Sequence, residues 1–221
     1  MKRYWPTGLV LIGMVVSLSA CGSMTADSAP SPTSTQIVIT DYAPNPGLAG
    51  LLKDSQAVAI VEPVSFRYEV YQAPTVVNSD PDPLKNPMAG MPDPVYRYTP
   101  PPDPLTIVTA KVVEGLMGGL QSGQMIDISH YGGILNGKLY LEDGVPQLSD
   151  HIGQNIVIAL VHDDSWESNS YSTSSALYGM WLYDNTSGEA TLLSETDLNS
   201  AKSDDATLTI NDFRKTISEI I

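Results

Sequence analysis

The sequence feature that most limits the fold is a proline-rich stretch in the middle of the chain. Residues 73–104 hold 10 of the 17 prolines and few aliphatic side chains. Because proline has no backbone N–H and fixes the backbone angle φ, such a stretch cannot form a central strand of a sheet. We therefore expect a long, semi-stiff surface loop at 73–104, with the strands of the fold on either side of it.

Apolar or alternating segments on both sides of this loop predict strands. Ile156–Val161 is apolar at every position, which is typical of a strand buried on both faces. Pro63 indicates a bend or a sheet edge between the first two segments, and the serine-rich stretch Ser165–Ser175 is interpreted as a polar loop. The predicted strands are Ala57–Val61, Ser65–Tyr71, Leu105–Val113, Gln124–Tyr131, Ile156–Val161, Ala176–Tyr183 and a last strand near Thr191–Leu193.

Two short helices are predicted at the ends of this strand-rich region. Leucines at helical spacing indicate a helical turn at Gly47–Lys53. Near the C-terminus Thr209 can cap a helix together with Asp212 three residues later. The apolar face of that helix comprises Ile210, Phe213, Ile217, Ile220 and Ile221. We therefore expect a mainly β fold, a small antiparallel barrel or curled sheet, with a short N-terminal helical turn and a C-terminal helix packed on it.

The first residues have the pattern of an export signal. Lys2 and Arg3 precede the apolar run Leu9–Leu18 and two small residues. A retained transmembrane anchor is the alternative, but Gly8–Ala20 has 13 residues, whereas a helix that spans a bilayer needs about 20. The sequence Leu18-Ser19-Ala20-Cys21 is similar to the lipobox of bacterial lipoproteins, in which the signal peptide is removed and the cysteine is acylated.

This resemblance implies a lipid anchor and a location. Residues 1–20 would be removed, Cys21 would carry the acyl chains, and the protein would lie on the extracytoplasmic side of a cell membrane. Cys21 is the only cysteine, so we expect no intramolecular disulfide. Gly22–Gln36 is poor in apolar residues, which predicts a disordered tether over 21–36 and a single β-rich domain over 37–221.

The globular part also resembles a group of uncharacterised bacterial secreted and lipoprotein domains. The resemblance covers about residues 48–220 and implies an OB-like barrel without a known activity. In this chain Glu114 replaces the lysine of the family pattern and Gln124 replaces its aspartate. The segments that carry the resemblance are Ala57–Val61, Leu105–Gly115, Gly123–Ile128, Gly132-Gly133 and Gly153–Leu160.

The charge of the chain argues against anionic partners. The formal net charge is −14, and removal of Lys2 and Arg3 with the signal peptide makes it more negative. Such a surface repels phosphate backbones, so we expect no nucleic-acid partner. Solubility near an anionic envelope explains the acidity better than a cation store does. We also expect no cofactor, because the glycines at 115–123 lack the Lys and Ser/Thr of a nucleotide-binding loop and fit tight turns instead.

The three histidines are the natural candidates for a general base. His130 and His162 end predicted strands, and His151 follows Asp150 in a loop. We predict no catalytic residues, because no Gly-x-Ser-x-Gly or His-Glu-x-x-His motif is present. The alternative hypothesis is an extracytoplasmic hydrolase that uses His151 or His162 with a neighbouring carboxylate.

We predict no metal site, although two sets of residues are candidates for one. Asp163, Asp164 and Glu167 offer oxygen ligands, but their spacing differs from that of an EF-hand loop. Met88 and Met91, together with the histidines, suit copper but are few. A cation-binding accessory lipoprotein is therefore the third hypothesis.

The residues predicted to contact a partner are Met88, Met91, Tyr96 and Tyr98, which lie among the prolines. Stiff segments with aromatic side chains can present apolar contacts at a low entropic cost. In the alternative interpretation Tyr96 and Tyr98 fold back to cover an end of the barrel. The leading hypothesis is a membrane-anchored, non-catalytic module that binds an envelope polymer or a protein.

Overall fold

The computed structural model describes residues 31–40, 42, 44–163, 170–194 and 206–221. Helices α1 (Gly47–Asp54) and α2 (Ile210–Ile220) and a 3₁₀ turn at Leu148–His151 accompany the strands. The described strands, in chain order, are β1 (Ser34–Val38), β2 (Ala57–Tyr71), β3 (Val76–Asn78), β4 (Tyr96–Tyr98), β5 (Asp103–Met117), β6 (Met125–Tyr131), β7 (Gly133–Leu135), β8 (Lys138–Glu142), β9 (Ile156–His162), β10 (Ser170–Thr173), β11 (Met180–Asp184), β12 (Glu189–Leu192) and β13 (Thr207–Thr209).

Five strands pair with one another in a ring. β2 pairs with β5 and β9, β5 with β6, β6 with β10, and β10 with β9. Every pair in the ring is antiparallel except β6–β10, which is parallel. β11, β12 and β13 extend the sheet outward from β9. The mainly β, curled-sheet fold is therefore confirmed, and the parallel β6–β10 pair makes the large sheet mixed instead of purely antiparallel.

The interior of the ring is an apolar core, which we call the inner core. It is filled by alternate residues of the ring strands, as the period of two in a strand requires. Leu148 of the 3₁₀ turn is also fully buried in it. Its main strand residues are Ala57, Ala59, Val61, Val108, Ala110, Val112, Ile126, Ile128, Ile156, Ile158 and Leu160.

A second apolar core, the outer core, lies between the sheet and the two helices. The ring of Phe213 on α2 packs edge-on against Trp181 on β11, with ring centres 5.1 Å apart. Helix α2 begins with the predicted capping box, in which the side chain of Thr209 and that of Asp212 each accept a backbone N–H of the other residue. The buried residues of the outer core are Leu48, Leu51, Leu52, Val58, Ile60, Val157, Ala159, Trp181, Ala190, Leu192, Leu208, Ile210, Phe213 and Ile217.

Strand β9 contributes to both cores. Ile156, Ile158 and Leu160 face the inner core, whereas Val157 and Ala159 face the outer core. This arrangement confirms that Ile156–Leu160 is buried on both faces, whereas Val161, which we also predicted to be buried, is only half-buried. The continuous apolar sequence of β9 follows from having a core on each side.

Several predicted boundaries differ from the structure. The two strands predicted on either side of Pro63 form one strand, β2, with a register shift between Pro63 and Ser65. The predicted strand Ala176–Tyr183 is wrong at its start, because residues 176–179 form a turn and β11 begins at Met180. Ile221 is 90% exposed and does not belong to the buried face of α2.

Two predicted irregular segments contain strands. Ser34–Gln36, which we placed in the tether, lie in β1 and pair with Lys138–Tyr140 of β8. Ser170–Thr173, which we placed in a polar loop, form β10 and complete the ring. Neither α1 nor α2, the two α-helices of the described residues, has the length and apolar character that crossing a membrane requires.

Candidate functional site

The proline-rich stretch contains a β-hairpin that is separate from the ring. β3 pairs antiparallel with β4, so that Val76 lies opposite Tyr98 and Asn78 lies opposite Tyr96. Among the described strands, these two pair only with each other. We call residues 76–98 the arm. The predicted loop at 73–104 therefore contains regular structure, and β5 already begins at residue 103.

The tip of the arm is organised around a buried amide. Asn86 is fully buried, and its Nδ2 donates to the carbonyl oxygens of Asp80 (3.0 Å) and Pro94 (2.6 Å). Its Oδ1 accepts the N–H of Met88 (3.0 Å). Prolines cannot donate from the backbone, so the Asn86 side chain supplies hydrogen bonds that join the two sides of the tip. The tip consequently has a defined shape before any partner binds.

The four predicted contact residues lie on the arm as two pairs. Met88 and Met91 share a turn at the tip, where the N–H of Met91 donates to the carbonyl of Met88 (3.1 Å). Tyr96 and Tyr98 lie on β4. Tyr98 is 46% exposed and Met91 is 55% exposed, whereas Met88 and Tyr96 are half-buried. Together with the exposed Val76, Tyr98 presents an aromatic and aliphatic surface to solvent.

The alternative role of the tyrosines, covering an end of the sheet, receives no support from the packing. Neither Tyr96 nor Tyr98 belongs to the inner core or the outer core. Sequence reasoning found these residues because aromatic side chains stand out among prolines. The sequence analysis did not identify Asn86. The one feature that could have pointed to it is its amide side chain, which can donate hydrogen bonds in a segment where the prolines cannot.

The arm carries little net charge. It has three aspartates against one lysine and one arginine. Lys85 pairs with Asp80 at 3.6 Å, and Arg97 pairs with Asp93 at 3.8 Å, both at the surface. Because the basic groups face acidic neighbours of the arm itself, contacts made by the arm depend on its apolar and aromatic side chains.

A second exposed feature is the edge of β2 that faces away from β5. β9 pairs with β2 only along Ala57–Val61, and Gly153 then donates its N–H to the carbonyl of Pro63 (2.8 Å). From Val64 to Val70, this edge of β2 has no strand partner among the described residues. We call Val64–Val70 the open edge.

The register with β5 shows which backbone groups of β2 point toward the open edge. Val70 lies opposite Pro104, which has no N–H, and the Pro104 carbonyl accepts the N–H of Gly132 on the β6 side (2.9 Å). Val70 is therefore in a non-hydrogen-bonded pair, and the alternation of an antiparallel ladder puts Tyr68 and Phe66 in pairs of the same kind. The N–H and C=O groups of these three residues consequently point away from β5.

The side chains along the open edge are apolar on one face and charged on the other. Phe66 and Val70 are 44% and 48% exposed, and Phe66 packs edge-on against Tyr68 with ring centres 5.5 Å apart. Burial and the negative charge of Asp150 raise the pKa of Tyr68. On the opposite face Arg67 forms ion pairs with Glu69 of β2 and Asp127 of β6.

Within the described residues, neither His130 nor His151 forms a hydrogen bond with a carboxylate, which a histidine that acts as a general base would need for its orientation. The Nδ1 of His151 hydrogen bonds to Oε1 of Gln154 (2.7 Å), and the Nδ1 of His130 contacts the carbonyl of Tyr131 (3.2 Å). A depression of about 490 Å³ is lined by Asp150 and His151, but its described lining contains no serine or threonine. His162 packs edge-on against Tyr171, with ring centres 5.5 Å apart.

Some predicted site residues lie outside the described part of the chain. Cys21 is one of them, as are Asp164 and Glu167 of the calcium candidate. Across residues 31–40, 42, 44–163, 170–194 and 206–221, no three His, Cys, Asp or Glu side chains form a group that could hold a metal ion.

Comparison with known proteins adds no family. No protein-family model matches the chain, and no curated protein matches it.

Proposed function

We propose that this protein is a membrane-anchored, extracytoplasmic lipoprotein that acts as a non-catalytic binding module. The sequence Leu18-Ser19-Ala20-Cys21 supports attachment through acyl chains on Cys21. Two or more acyl chains give stable anchoring where a single chain is marginal. The partner is a protein or polymer of the cell envelope, and the net charge of −14 argues against nucleic acid.

The observation that carries the binding role is the exposed arm. Its tip is held in shape by Asn86, and its strand β4 presents Tyr98 beside Val76 outside both cores. A preformed surface loses little conformational entropy on binding, and tyrosine supplies a large contact area with few rotatable bonds. An exposed surface of aromatic and aliphatic side chains favours a binding role for the arm.

The arm is tested by comparing two variants of neighbouring positions. Tyr98→Ser removes the aromatic contact, whereas Val77→Ser changes a residue on the opposite face of β3. Both positions are exposed, so we expect each change to alter the free energy of unfolding by less than about 0.5 kcal/mol. Cells that express the full chain are crosslinked, and the chain is isolated with its partners. We expect the partner to be lost with Tyr98→Ser and retained with Val77→Ser.

A third variant tests the anchor in the same cells. Cys21→Ser should abolish incorporation of labelled fatty acid and release the protein from the membrane fraction. Labelling that persists in Cys21→Ser would contradict the lipid anchor. A drop of several kcal/mol in stability with Tyr98→Ser would contradict the binding role of the arm, because it would indicate that Tyr98 supports the fold.

A further inference from the structure

We propose that the open edge of β2 binds an extended, basic peptide segment of a partner protein as an added strand. This site is separate from the arm, and the inference goes beyond the proposed function because it does not depend on lipid attachment. It assigns a second contact surface and the chemistry of its occupant.

The outward-pointing backbone N–H and C=O groups of the open edge are arranged to pair with a β-strand. Phe66, Tyr68 and Val70 direct their N–H and C=O groups away from β5, and none of these groups has a backbone partner in the described part of the chain. Residues two apart in a strand are separated by about 6.6 Å, which is the repeat at which an added strand forms its hydrogen bonds. Only an extended polypeptide offers donors and acceptors at that repeat over three positions.

The side chains of the open edge provide contacts for alternate residues of such a peptide. Phe66, Tyr68 and Val70 lie on one face of β2, and all three are partly exposed. Cross-strand neighbours on the same face of a sheet pack against each other, with aromatic and β-branched pairs among the favourable ones. An incoming strand with apolar residues on this face would therefore cover Phe66 and Val70.

The charges around the open edge favour binding of a basic peptide. Arg67 is shared by Glu69 and Asp127, so the two carboxylates outnumber the one guanidinium. Asp150 adds a further negative charge close to Tyr68 on the other face. Lysine or arginine on either face of an added strand would therefore meet a surplus of negative charge.

The same charges disfavour a second copy of this chain as the occupant. Two copies that met along their open edges would bring together the same acidic groups, on chains that each carry a formal charge of −14. Like charges at an interface oppose association. A strand from a basic partner has no such penalty.

The experiment uses the purified full chain in detergent and labelled model peptides. The probe is a peptide of about eight residues that alternates valine and lysine, long enough to pair with Val64–Val70. One control peptide replaces lysine with glutamate, and another carries N-methyl groups on alternate residues along one edge, which removes its backbone donors. We expect saturable binding of the lysine peptide alone, measured by fluorescence anisotropy.

Protein variants locate the site. Val70→Pro removes one outward N–H and leaves the ladder with β5 intact, so we expect Kd to increase about fivefold. Phe66→Lys keeps the backbone donor but repels the basic probe, and it should increase Kd at least as much. Ile39→Lys, at an exposed position directly after β1, which pairs with β8 and not with β2, is the matched control and should leave Kd unchanged.

Four outcomes would overturn the inference. The first is no saturable binding of the lysine peptide. The second is equal binding of the N-methylated peptide, which would indicate attraction of charge without strand pairing. The third is the same Kd in Val70→Pro, Phe66→Lys and the unaltered protein. The fourth is a dimer, detected by sedimentation, that Val70→Pro dissociates, since a second copy would then occupy the edge. None of these results bears on the arm, which crosslinking in cells tests separately.

Discussion

Replacement of Phe213 by alanine tests whether α2 is held by its packing on the sheet. Phe213 is fully buried in the outer core and packs edge-on against Trp181, with ring centres 5.1 Å apart and ring planes at 81°. A helix of 11 residues is marginal on its own in water, so its presence depends on this buried face. Removing a fully buried phenylalanine costs about 3–5 kcal/mol, of which the aromatic pair accounts for about 0.5–1.5 kcal/mol.

The assay is equilibrium unfolding of the full chain in urea, followed by tryptophan fluorescence and circular dichroism. Ile221→Ala is the matched control, because it truncates an apolar residue that follows the same helix but is 90% exposed. We expect Ile221→Ala to change the free energy of unfolding by less than about 0.5 kcal/mol. If Phe213→Ala changes the free energy of unfolding no more than Ile221→Ala does, the reasoning that α2 is docked through Phe213 is refuted.

Two further predictions concern backbone geometry and pH. Gly118 and Gly119 both have positive φ, but a Cβ at Gly118 would meet the backbone of Gln56 and Ala57, while one at Gly119 would meet open space. Urea unfolding should therefore show Gly118→Ala to be about 1–3 kcal/mol less stable than Gly119→Ala, and equal stabilities would contradict the predicted clash. Burial lowers the pKa of His130 below its ordinary value of 6.5, although the Tyr131 carbonyl, Glu142 and Asp150 favour the charged form. Since the unfolded chain binds the proton more readily, stability should be full above about pH 6.5 and should decrease as the pH falls through the lowered pKa. Urea midpoints measured across this range should depend less on pH in His130→Gln, and identical pH profiles would exclude His130 as the cause.

The parts of the fold that the sequence predicts best are those determined mainly by residues that lie close together in the chain. Thr209 and Asp212 stand at the spacing of a capping box, and this interaction forms between residues close in the chain. Ile156–Val161 is apolar throughout, and no surface strand would have that pattern. Patterns of this kind depend little on the rest of the molecule.

Other elements depend on partners that are distant in the sequence. Ser170–Thr173 is polar and short, yet it forms β10 because β6 and β9 leave a position between them where Tyr171 packs on the inner core. Ser34–Val38 becomes β1 through its pairing with β8, about a hundred residues away. Local hydrophobic periodicity carries no information about such pairings.

The candidate site was predictable in part. The prolines and tyrosines identify the arm, but the pairing of Val76 with Tyr98 depends on a register that no tight turn specifies. The alternation of Phe66, Tyr68 and Val70 predicts a strand. That its edge stays open follows only from where β9 stops pairing at Val61, which is a property of the assembled sheet.

The position of β9 between the two cores affects how the protein unfolds. Because Ile158 and Val157 are adjacent residues that pack in opposite cores, displacement of β9 removes packing from both cores at once. The ring and the helical layer should therefore melt in a single cooperative step, while the arm, which shares no residue with either core, is able to open by itself.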